Sequence, residues 1–130
     1  MGLNEKRKMK EIQDTTLPER TKELLEITGS PVTYDIDCAG FQDSFESLNF
    51  LDNVACHRLN MALRVICADA LGKDAVKESL KKVRIVNVKD KRAKKLEFAK
   101  GLLTMTGAYA DGLSGAFSDN EIRETLMAGL

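Results

Sequence analysis

The chain has no tryptophan, two tyrosines, five phenylalanines, two prolines and a single histidine in 130 residues. With so few aromatics the interior has to be packed from Leu, Ile, Val, Ala and Met by aliphatic contact. No run approaches the roughly 18 consecutive apolar residues of a membrane span, so no membrane partner is expected. Residues 1–10 are rich in charge rather than basic and then apolar, which is not a secretory pattern. The expected location is the cytoplasm. Gly2 does not complete a myristoylation motif, because Lys6 stands where serine or threonine is wanted. Also missing are a glycine-rich phosphate loop after a strand, a His-Glu-x-x-His and a Gly-x-Ser-x-Gly, so no cofactor is implied.

Cysteine is scarce and unevenly placed. Cys38, Cys56 and Cys67 form an odd set without close pairing, which suits reduced thiols in a cytosol better than a secreted disulfide framework. With His57 they resemble a Cys3His zinc set. On one continuous helix, however, Cys56 and Cys67 stand about 16 Å apart, too far to share a zinc ion or a disulfide. No metal is expected, and the default reading is buried, unreactive thiols.

A chain of this length can bury about two-thirds of the surface its unfolded form exposes, enough for one self-sufficient core. A single domain over 1–130 is expected, with residues 1–15 a weakly packed N-terminal helix. Net charge is zero but segregated: residues 14–52 hold nine acidic and two basic groups, residues 77–100 three acidic and ten basic.

Local signals order the elements. Thr16, Pro18 and Glu19 read as a capping box opening a helix over 17–28 that Gly29 and Pro31 end. Val32, Tyr34 and Ile36 alternate with polar residues, the period of a half-buried strand. Phe41, Phe45 and Leu48 suggest a short helix, Asn49 caps a long helix to Leu71 ended by Gly72, and a further helix covers 73–82. Residues 83–88, 95–99 and 102–106 read as strands, the last two joined at Lys100-Gly101. Ser118 with Glu121 marks a final helix over 119–128, stapled by Phe117 and Ile122. Three strands in series predict a meander, hence an α+β fold with helices on one face of a small, three- to four-stranded, mainly antiparallel sheet.

The long helix carries the candidate site. At 100° per residue its apolar positions cover over half of the circumference, while Asn53, His57, Asn60 and Arg64 fall on one narrow polar stripe. There the only histidine lies between amides and a guanidinium that could bind an anion or orient the imidazole. A mostly buried helix also keeps one wet edge, and that plainer reading outweighs the functional one. Arg58 and Asp69 lie on the apolar side and need partners from other elements or an interface.

Adjacent Cys56 and His57 diverge too far for a nucleophilic pair, whereas Cys38 could reach His57 only through the fold. Asp35 and Asp37, about 7 Å apart on one strand face, would need a third group for metal or acid–base chemistry. The basic 81–95 hairpin offers phosphate contacts, with only Phe98 to stack on a base. No catalytic set stands out. The leading expectation is a non-enzymatic binding or interaction protein that self-associates as a homo-oligomer or takes a protein partner. A small enzyme or ligand-binding domain using the His57 stripe comes next, and nucleic-acid contact through 81–95 third.

Overall fold

The computed structural model describes residues 2–41 and 44–130. The chain begins with α1 (Leu3–Glu11) and α2 (Leu17–Thr28), continuous through a π-helical turn at Ile12–Thr16. The helix start expected at Thr16 is not there: Thr16 keeps helical dihedrals and its side chain caps nothing. Pro18 lacks an N–H and its ring crowds the preceding turn. The wider turn, in which the Leu17 N–H donates to the Ile12 carbonyl, accommodates that ring. Most of α1 is exposed, but Met9 and Ile12 are buried in the core. Gly29, with φ of 71°, ends α2 in the left-handed conformation.

After β1 (Thr33–Ile36) comes α3 (Cys38–Phe41); residues 42 and 43, which the expected short helix crosses, lie outside the described residues. Ser44 then accepts the Ser47 N–H and opens α4 (Phe45–Phe50), which continues through a second π turn, Leu51–Cys56, into α5 (His57–Ile66). The long helix thus starts before Asn49 and stops before Leu71. Its expected end fails because Asp69 accepts the Gly72 N–H at 2.7 Å and opens α6 (Ala70–Ser79) instead. Gly72 serves close packing, since a Cβ there would fall 1.8 Å from the Ile66 carbonyl oxygen.

The sheet has four strands in the order β1-β2-β4-β3, with β2 at Lys82–Asn87, β3 at Lys95–Ala99 and β4 at Leu102–Gly107. It is mixed and mostly parallel, not mainly antiparallel: β1 pairs with β2 and β2 with β4 in parallel, and only β3 runs against β4. No meander forms, because the connection over 88–94 is not a tight turn and contains a 3-10 turn, Lys91–Ala93. That length carries β3 past the neighbouring position, and the tight hairpin at Lys100 and Gly101 (φ 53° and 80°) folds β4 back beside β2. The charged alternation of Lys95 and Glu97 suits β3 to an edge.

Among the described residues, helices cover one sheet face only. Val83, Ile85, Leu103 and Met105 are fully buried against them, while Arg84, Thr104 and Thr106 alternate onto the other face, where Arg84 meets Asp35 at 2.7 Å. A 3-10 segment (Tyr109–Gly115) leads to α7 (Asp119–Gly129), whose Ser118–Glu121 capping box is complete and whose Phe117 and Ile122 are buried.

Candidate functional site

Of the four stripe residues, Asn60 and Arg64 converge on one partner, Glu23, and Asn53 and His57 do not join them. Asn53 and His57 are exposed, and neither makes a side-chain hydrogen bond or ion pair among the described residues. Asn60 is 1% exposed, and Arg64 lies on the surface with one loose ion pair to Glu23 at 3.5 Å. His57, Asn60 and Arg64 all lie on α5, and the difference among them comes from what packs there: α2 and β1 cover Asn60 and leave His57 and Arg64 open.

Asn60 is the centre of a closed polar network. The Glu23 carboxylate can only accept, so the Asn60 amide turns its Nδ2 toward Glu23 at 2.6 Å. Its Oδ1 then faces β1, where the Tyr34 hydroxyl donates to it at 2.6 Å. The second Nδ2 proton reaches the Arg20 carbonyl at 3.4 Å. Arg20 forks its guanidinium over Asp52, with Nε to Oδ1 at 2.6 Å and an Nη to Oδ2 at 3.3 Å, and also touches Glu23. The network therefore pins α2, β1 and the π turn to α5.

Its protonation states are held firmly. The Asn60 hydrogen bond, with Arg20 adding to it, holds the Glu23 carboxyl below its usual range. Burial pushes the Tyr34 hydroxyl well above its ordinary value and the Cys56 thiol up to about 12. Neither is poised to lose a proton near neutrality, so Cys56 is not a ready nucleophile.

The remaining candidates find structural partners. Arg58 donates to the Phe117 carbonyl at 2.8 Å, and Asp69 is the cap of α6. Cys38 is exposed beside Gln13, and no hydrogen bond joins it to His57 among the described residues. Asp35 is taken by Arg84, and no group of three or more His, Cys, Asp or Glu side chains is placed to hold a metal among the described residues.

Beside the network, α5, α6 and α7 expose apolar surface. Val65 and Met127 are about half exposed, and Leu71 at the start of α6 is 85% exposed. Together with Ile66 they wall a concavity of about 490 Å³, with Asp69 and Arg123 at its margin. A polar stripe was readable from helix period, whereas this patch was not. It joins residues of three helices, and its one sequence signal is Leu71 following the Asp69 cap.

No helix among the described residues is long and apolar enough to cross a membrane. No protein-family model, curated protein or solved structure matches the chain, so its own geometry carries the functional reading.

Proposed function

We propose that the protein is a non-enzymatic interaction protein that pairs with a second copy of itself through the exposed face of α5, α6 and α7. The carrying observation is that one patch contains both a projecting apolar side chain, Leu71, and a hollow of about 490 Å³ beside it. A two-fold interface brings the same patch from both copies together, so it needs knob and hole on one surface. The charges obey the same requirement, since Asp69 and Arg123 border the hollow and each meets its opposite across the axis. Burying such apolar surface contributes about 25 cal/mol per Å², which a projecting leucine in water forgoes.

The basic stretch supports nucleic-acid contact less well. Arg84 is engaged by Asp35, Arg92 by Asp90 and Lys95 by Glu97, while Lys94 reaches the Ala116 carbonyl and lies over the Phe117 ring. Three unpaired cysteines, one of them exposed, fit a reducing compartment such as the cytoplasm. Light scattering across a concentration series tests the pairing. A dimer is expected at low salt, loosening as salt screens the rim charges, and a monomer throughout contradicts it.

A further inference from the structure

Because β1, β2 and β4 run in parallel, their carboxyl ends meet at one end of the sheet, where open sheets in general receive ligands. Asn87, the last residue of β2, ties the three exits together. Its Nδ2 donates to the Gly40 carbonyl at 2.9 Å and to the Ser47 hydroxyl at 3.0 Å, and its Oδ1 accepts the Tyr109 N–H at 3.0 Å. Above this clamp is a cavity of about 540 Å³, within the range of small-molecule pockets. It is separate from the α5–α6–α7 patch and shares no residue with it.

Proton accounting shows what the cavity offers. The Ser47 hydroxyl is fully buried, accepts from Asn87 and lies 2.7 Å from the Ser44 hydroxyl, an arrangement in which either serine can donate to the other. Ser44 also accepts the Ser47 N–H. When Ser47 donates to it, the Ser44 hydroxyl keeps its own proton for a ligand, and Ser44 lines the cavity. Lys89 lines it as well, and its neighbour Asp90 is occupied by the Arg92 guanidinium. The rest of the wall includes Ala39, Val88 and Ala110.

We propose that this cavity binds a small organic carboxylate, with Ser44 and Lys89 donating to its oxygens and the alanines and Val88 packing on its short apolar body. Two donors, one of them charged, match the two oxygens of a carboxylate. A phosphate carries a third oxygen and a second charge that they leave uncovered.

Butanoate titrated into isotope-labelled protein tests this, with butylamine and inorganic phosphate as separate arms. Saturable shifts of the Gly40, Val88 and Ala110 amides are expected with butanoate alone, at a dissociation constant of about 1 mM. Lys89→Gln, at an exposed position, is expected to weaken binding at least about tenfold. Ala110→Phe is expected to fill the cavity and abolish binding. Absence of saturation at about 50 mM butanoate, equal shifts with butylamine or phosphate, or unchanged affinity in Lys89→Gln overturns the proposal.

Discussion

The helix from Phe45 to Ile66 treats its two sides differently. Toward α2 and β1 it buries an amide, Asn60, and the π turn before it presents Asp52 to Arg20, with every polar partner supplied. Toward α6 and α7 it leaves Val65 half exposed beside the nearly bare Leu71. At these two places a polar group is closed off and apolar groups are left open, although Asn53, His57 and Arg64 keep the usual polar surface elsewhere on the helix. On the pairing proposed above, the guide to a binding surface is whether a group's physical requirement is already met, not whether it is polar.

Breaking the closed side has the largest expected effect. Asn60→Ala removes the nearer acceptor of the buried Tyr34 hydroxyl and the main neutral donor to the partly exposed Glu23. A loss of about 3 kcal/mol in stability is expected by urea denaturation, with the proposed self-association unchanged in native buffer. A cost below about 0.5 kcal/mol would remove the network as the pin between α2, β1 and α5.

Acid probes the same side more gently. Glu23 is depressed in the folded state by Asn60 and Arg20, so its contribution is fully present above the unfolded value of 4.5. That contribution is lost as pH falls through the lowered folded value. Glu23→Gln is expected to flatten the stability profile below about pH 4.5, measured by denaturation at a series of pH values. An unchanged slope would mean that Glu23 is not linked to folding.

The open side responds least in stability. Val65→Ser is expected to change unfolding free energy by less than about 0.5 kcal/mol while weakening self-association about tenfold. A large stability cost would show that Val65 belongs to the core.

Much of this architecture was legible in local sequence. The Ser118–Glu121 box, the Lys100-Gly101 turn and the strand signal around Tyr34 and Ile36 each use chemistry contained within a few residues, and each element formed, the strand as Thr33–Ile36 without Val32. Strand direction was not legible, because alternation reports one-sided burial and is the same whether the neighbour runs parallel or antiparallel. The long connection over 88–94 was the signal against a meander. At the site, the wheel found Asn60 as polar but not as buried. Its partners stand far along the chain, 26 residues away at Tyr34 and 37 at Glu23, where no local period reports them. Leu71 was placed inside the long helix because Gly72 resembles a stop. The Asp69 cap, which turns the chain and pushes Leu71 outward, competes with that signal and wins.

The central claim is that the apolar patch, and not the polar stripe, carries self-association. Sedimentation equilibrium of Leu71→Asp beside His57→Asp tests it most directly, since both side chains are exposed and either substitution leaves the core untouched. The account predicts that Leu71→Asp raises the dimer dissociation constant about a hundredfold while His57→Asp leaves it unchanged. A dimer that survives Leu71→Asp but dissociates in His57→Asp would contradict it.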